Sequence, residues 1–462
     1  MSSAPPMFNP TSGQFPSLRE HALVPVGMAT ILPDAARHVR HLESELLTYF
    51  NRYGYDEIIL PTFEYLDVLA PGLEPTLLEN SYKIVDRTTG RILLLRPDVT
   101  AQIARTVAMG MVGAHLPLRL SYRATVFRYE PEHVGRDREI FQVGAELIGA
   151  NDPSADCEII MLMIESLRKV GLHSFKVSLG HVGFFKGLLV RAGLSPDGQK
   201  RAEQAAARKD LPRLAEILRH ERVGKNAARA ILETPELCGQ AEVLSKGRIL
   251  ARGEKPLLQA LDRLEAVYQL LCATGFQDVV LLDLGEFRGF DYYDGVIFDV
   301  FTPGIGVELG GGGRYDHLIG RFGRDIPSTG FALNVDRLFR GLNLSDTTTP
   351  VRSEVLVVAP LALSKELVSV ARQLRQVGVR VVQRAVPASG RGVIRIAARA
   401  GLEADIHTAI VVVTDSAERV IVLRRNTQQQ TGEPTDSSDL DKQAMSMRDL
   451  VASLRASHKG MS

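Results

Sequence analysis

From Pro33 to Tyr53 the apolar residues Ala36, Val39, Leu42, Leu46, Leu47 and Phe50 recur at helical spacing, with charged residues between them. That spacing lines one face of a helix and predicts an amphipathic helix, which Gly54 stops. The pattern then changes. Ile58-Ile59-Leu60 followed by Pro61 reads as a strand that meets a residue unable to donate to a ladder. Ile92 to Leu95 reads as a second short strand, delivering Arg96-Pro97-Asp98-Val99-Thr100 to a helix that carries Ala101, Ile103, Ala104, Val107 and Ala108. Farther on, the apolar residues flanking the polar stretch around Gly135-Arg136-Asp137-Arg138 predict two antiparallel strands joined by a loop. A period of two then puts Arg128 with Glu130, and Gln142 with Glu146, on common faces.

Between the strand-like runs Val177 to His181 and Val279 to Asp283, the chain from about Leu194 to Leu261 is dominated by Ala, Arg, Lys and Leu at helical period, which predicts a helical insertion. A polar break at Ser345 to Pro350 reads as a linker. Beyond it, Val355 to Val358, Leu367 to Leu374, Val379 to Val382 and Ala409 to Val413 alternate strand and helix, as expected of a small α/β domain with a parallel sheet. Asn426 to Asp439 is polar enough to be a loop, and a last helix is expected from about Met447 to Leu454. The domain plan is therefore a flexible arm over 1–27, a core over 28–345 and a C-terminal α/β domain over 351–462.

Composition narrows the function classes. At 462 residues and 45% apolar content the chain can bury one large core and a smaller one. A net charge of +1 argues against a dedicated nucleic-acid surface. Cys157, Cys238 and Cys272 are far apart and show no metal-ligand spacing, which fits a reduced, cytoplasmic protein with no metal. No leader pattern or membrane-spanning run is read, so no membrane partner is expected.

A guanidinium, carboxylates and an amide on one strand pair suit a small zwitterion or a nucleotide; a solvated sheet face with surface ion pairs gives the same pattern. Asp98 and Thr100 precede a helix, where they can cap free amides, hold a ligand, or do both. The run Gly310 to Gly313 reads as tight backbone packing, since it lacks the following helix N-terminus of a phosphate loop. Tyr292 and Tyr293 are adjacent; if they lie in a strand they face opposite ways, and at least one only packs.

The order Phe127-Arg128-Tyr129-Glu130, Phe141-Gln142-Val143-Gly144-Ala145-Glu146, Arg288-Gly289-Phe290-Asp291-Tyr292-Tyr293, the glycine run with Arg314-Tyr315-Asp316, and Gly330 to Leu338 resembles the class II aminoacyl-tRNA synthetase core, specifically its histidyl branch. The fold implied is α+β: an antiparallel sheet core with a helical insertion, plus a C-terminal domain resembling a degenerate anticodon-binding domain. The helix, strand and Pro61 are similar to motif 1, which implies dimerisation. By resemblance Asp98, Thr100 and Gln142 take the ammonium of histidine, Arg288 its carboxylate, and Glu146 with Tyr293, beside Tyr292, its imidazole. Nucleotide phosphates, if bound at all, fall to Arg128, Arg136 and Arg337, with Glu130 near the adenine.

That branch holds histidyl-tRNA synthetases and the synthetase-like regulatory subunits of ATP phosphoribosyltransferase. Three departures favour the regulators: Pro25 to Met28 and Pro75 to Tyr82 replace the synthetase's entry segments, Arg96-Pro97-Asp98 has aspartate where the bacterial synthetase has glutamate, and Ser389 to Arg395 lacks a lysine-rich helix start. The substantial C-terminal domain points the other way. The resemblance thus implies a non-catalytic regulator that binds histidine, forms a homodimer within a hetero-oligomer with a short-form catalytic subunit, and needs no cofactor and no tRNA. The alternative is a histidyl-tRNA synthetase, and ATP with magnesium enters only there.

Overall fold

The computed structural model describes residues 24–25, 27–111, 113–129, 138–286, 292–342, 354–389, 391–403, 409–425 and 440–459. The chain divides into two compact units, Met1–Thr347 and Thr348–Ser462. The N-terminal arm, the linker at 345–350 and the stretch 426–439 fall wholly or largely outside the described residues.

In the first unit the helix Pro33–Arg52 starts with proline in its first turn and Asp34 beside it, and the chain reverses at Gly54, whose φ of 81° favours a residue without a side chain. Its apolar stripe, Val39, Leu42, Leu46 and Phe50, is buried. The strand expected at Ile58 to Leu60 is corrected. Only β1 (Asp56–Glu57) forms a ladder, because the chain then runs to Pro61 and leaves Ile59 89% exposed. β2 (Phe63–Tyr65), β3 (Lys83–Val85) and β4 (Ile92–Leu95) make a small antiparallel sheet, and the helix Thr100–Gly110 follows it.

β5 (Leu118–Phe127) and β6 (Glu139–Ile148) are the expected antiparallel pair, in register Tyr122 to Gly144 and Leu120 to Glu146. β7 (Lys176–His181) leads into the helical segment from Val182 to Ala273, whose two-residue β8 (Cys238–Gly239) returns to the sheet edge. β9 (Val280–Asp283), β10 (Val296–Phe301), β11 (Gly310–Arg314) and β12 (Ser328–Asn334) complete a nine-stranded sheet ordered β1-β5-β6-β12-β11-β10-β7-β9-β8. From β5 through β7 every pairing is antiparallel. One face packs Val143, Ala145, Leu147, Phe298, Phe331 and Leu333 against the long helices, including Pro153–Lys169, whose first amides Asp152 caps. The other face carries Leu120, Tyr122, Ile148 and Ile297 into a second core with the helix Thr100–Gly110. The site lies on this second face.

The C-terminal unit holds β13 (Glu354–Pro360), β14 (Arg380–Val386), β15 (Ala409–Val413), β16 (Arg419–Arg425) and β17 (Leu440–Ser446) in the order β14-β13-β15-β16-β17. The three strands expected to run parallel do so, and two further strands that the sequence pattern did not announce make the whole sheet mixed. β14 and β15 run parallel to β13, but the short link after Val413 returns β16 antiparallel to β15, and β17 pairs antiparallel with β16. The last helix, Met447–Lys459, packs Met447, Leu450 and Leu454 on one face of that sheet.

Candidate functional site

The period of two in β6 decides the floor of the site. Gln142, Gly144 and Glu146 share one face, and the odd residues between them enter the opposite core. Across the sheet, the row through Glu146 continues with Gly330, Gly313 and Ile297, and the row through Gly144 continues with Ala332, Gly311 and Asp299. The floor is thus nearly bare of side chains around one carboxyl. A Cβ at Gly330 would collide with Glu146 Oε2, one at Gly144 would stand 2.5 Å from the Tyr122 hydroxyl, and one at Gly313 would stand 3.0 Å from the Tyr293 ring. The run Gly310 to Gly313 lies in an interior strand, and Cβ atoms added at Gly310, Gly312 and Gly313 would strike neighbouring backbone, so these glycines serve close packing, as expected.

Glu146 is 1% exposed. Thr100 Oγ1 donates to its Oε1 at 2.8 Å, and the Tyr315 hydroxyl donates to its Oε2 at 2.5 Å. Burial pushes the carboxyl up to about 8, against the lowering effect of those two donors, and Asp98 adds repulsion. Tyr292 and Tyr293 close over this corner with ring centres 4.6 Å apart, and they lie 5.9 and 6.5 Å from the Tyr315 ring. Both are buried in the same core, which corrects the expectation that strand neighbours would diverge. They precede β10 and are not in a strand, so the period of two does not apply to them.

Of the two residues, Asp98 takes the capping role and Thr100 does not. Asp98 Oδ1 accepts from the Ala101 amide at 2.7 Å and so caps the helix, while its Oδ2 lies 3.9 Å from Arg128 Nη2. Thr100 turns instead to Glu146. Arg128 lies just past the end of β5, and its Nε donates to Pro97 O at 2.8 Å, which ties it to the loop that carries Asp98. Gln142 is buried and donates to Asn334 Oδ1 at 3.3 Å. Asp98, Thr100, Gln142, Glu146, Tyr292, Tyr293 and Arg128 therefore belong to one side of the sheet. Arg337 lies on the helix Val335–Gly341 after β12, and its Nη1 donates to both the carboxylate and the backbone carbonyl of Glu308, at 2.6 and 2.7 Å. Arg288, Glu130 and Arg136 lie outside the described residues.

Three contributors carried no assigned role in the sequence reading. Tyr315 supplies a donor to Glu146, and its signal was its place directly after a glycine strand and Arg314. Tyr122 fills the space above Gly144, a cross-strand pairing that the register of β5 and β6 would have revealed. Arg96 is a strut: its guanidinium donates to Thr125 O and Leu60 O, and burial lowers its basicity. Behind Tyr315, the Arg314 guanidinium is buried against Asp156, which also receives Arg263. The adjacent His181 is held down to about 4, first by burial and then by those two arginines. A separate groove of about 370 Å³, lined by Leu47, Asn51, Tyr55, Glu57, Ser121 and Arg123, opens beside the odd residues of β5, away from Glu146. Among the described residues no cluster of His, Cys, Asp and Glu is arranged to hold a metal ion, and no helix is long and apolar enough to cross a membrane.

Comparison with known proteins agrees with this geometry. Residues 27–338 match the histidyl-tRNA synthetase family. An ATP phosphoribosyltransferase regulatory subunit of Geobacter metallireducens is 37% identical over 358 residues, covering 77% of this chain and 82% of that protein. Its counterpart in Moorella thermoacetica is 39% identical over 360 residues, covering 78% of this chain and 91% of that protein. The crystal structure of an ATP phosphoribosyltransferase regulatory subunit/histidyl-tRNA synthetase from Bacillus halodurans superposes with a TM-score of 0.74 at 27% identity, over 87% of this chain and all of that one. A histidyl-tRNA synthetase from Nostoc, at 19% identity and a TM-score of 0.74 over 95% of this chain and all of that one, shares the fold. The chain belongs to the histidyl-tRNA synthetase-like family, in its branch of ATP phosphoribosyltransferase regulatory subunits.

Proposed function

We propose that this chain is the regulatory partner of a short-form ATP phosphoribosyltransferase catalytic subunit, and that it binds histidine over the β6 floor to control the first step of histidine biosynthesis. The observation that carries the reading is the buried Glu146 carboxyl with its hydroxyl donors beneath a cover of tyrosine rings, a polar group fit to meet the nitrogen of one planar ring. Glu146 and Tyr293 grip the imidazole. Thr100, Asp98 and Gln142 surround the ammonium end, and Arg288 takes the carboxylate.

The arginines favour regulation over adenylation. Arg337 is engaged by Glu308, which a phosphate would have to displace, and Arg128 is tied to Pro97. A histidine bound this way regulates only if it favours one arrangement of the complex over another. The assembly is proposed to contain a homodimer of this chain, supported by the exposed Ile59 and the half-exposed Phe63 beside Pro61. It works in the cytoplasm without cofactor or tRNA.

The test mixes purified chain with the short catalytic subunit of the same organism and follows phosphoribosyl-ATP formation. Stimulation by the chain, reversed by added histidine, is the expected result. No effect on the catalytic subunit, together with histidine-dependent exchange of pyrophosphate into ATP by the chain alone, would assign it to the synthetases instead.

A further inference from the structure

Among the described residues no cation lies against the buried carboxyl of Glu146, whose oxygens receive only the Thr100 and Tyr315 hydroxyls. Among the described residues the titratable groups facing it are the Tyr315 phenol after β11, the Tyr122 phenol from β5, Asp98 from the loop before the helix Thr100–Gly110, Tyr292 and Tyr293 from the segment before β10, and Tyr55 from the other side of the sheet. Arg128 lies on the Asp98 side, and Arg314 turns its guanidinium to Asp156. An ionised Glu146 would therefore be a second buried negative charge beside Asp98. Such a charge is costly, and a retained proton relieves it.

Resting on the histidine reading above, we infer that the pocket selects its ligand by ring basicity: the empty site stores a proton on Glu146 and passes it to the entering imidazole. The O–H bond of Glu146 breaks, an N–H bond forms on a ring nitrogen, and an imidazolium–carboxylate pair replaces two neutral groups. No proton is exchanged with solvent. A ring of the same size that is a poor base leaves the proton on Glu146 and gains no ion pair.

The titration of Glu146 near 8 and that of an ordinary imidazole near about 6.5 bound the working window. Below it, the ligand arrives charged and a proton must leave the pocket. Above it, the pocket is already ionised and a neutral ring must draw a proton from solvent. Each limb lowers affinity about tenfold per pH unit.

Calorimetric titration of the full chain with histidine from about pH 5 to about pH 9.5, in buffers of differing ionisation enthalpy, reads this directly. The expected profile is a bell, with no buffer-dependent heat inside the window and uptake of one proton above it. Glu146→Gln should keep the acid limb and lose the limb near 8, the ligand's own ammonium contributing equally to both proteins. On the unaltered chain at pH 7, 1,2,4-triazolylalanine should bind at least about tenfold more weakly than histidine, a result that does not depend on the variant folding. Histidine affinity that is level across the titration of Glu146, or a triazole that binds as well as imidazole, overturns the proton transfer. Histidine that fails to bind at any pH overturns the reading of the pocket itself.

Discussion

Two carboxyl groups of this protein, Glu146 and Asp156, are each 1% exposed, and their surroundings could hardly differ more. Asp156, on the helix Pro153–Lys169, is held by Arg314 at 2.7 Å and by Arg263 at 2.6 Å, so its charge is compensated within the fold. Among the described residues Glu146 has hydroxyl donors only. The first arrangement is architecture: it fixes Arg314, and with it the neighbouring Tyr315. The second leaves an electrostatic need that a bound cation can meet. Equal burial therefore says nothing about role until the partners are counted.

The largest effect expected from breaking this contrast is at Asp156. Asp156→Ala leaves the buried Arg314 and the largely buried Arg263 without their shared carboxylate and should cost about 3–5 kcal/mol in urea unfolding at neutral pH.

Glu146→Gln acts in the opposite direction. Because the folded carboxyl titrates near 8 and the unfolded one near 4.5, its contribution is fully present below the unfolded value and is lost as pH rises through the folded one. The variant escapes that loss and should be about 2–4 kcal/mol more stable than the parent above the folded value, with the difference vanishing in acid, as read from unfolding curves across pH. Equal pH profiles for the two proteins would place the charge elsewhere.

The smallest effect is at Thr100. Thr100→Val removes one donor to Glu146, should cost about 1 kcal/mol, and should move the alkaline limb of histidine binding upward, since the ionised carboxylate loses a hydrogen bond.

Much of this was legible in the residues, and the failures have local causes. The face shared by Gln142 and Glu146 was readable because β6 is a regular strand, in which period two is strict. The helix Pro33–Arg52 was readable because its apolar stripe is regular and a proline and a glycine mark its ends. The tyrosine pair misled because the same period was applied outside a strand. The parallel trio of the C-terminal sheet was readable, but β16 carries arginines at both ends and β17 begins with alternating charges, so neither reads as a core strand beside Val355 to Val358. The link between Tyr315 and Glu146 spans 169 positions, and no local pattern announces a contact made by strand order.

The large sheet ends on one side in β1, Asp56–Glu57, and on the other in β8, Cys238–Gly239. Each end strand is a selvedge two residues long, too short by itself to template a neighbouring strand. A contact made across either of those two end strands would therefore rest on side chains rather than on a shared ladder, and point substitution would tune its strength.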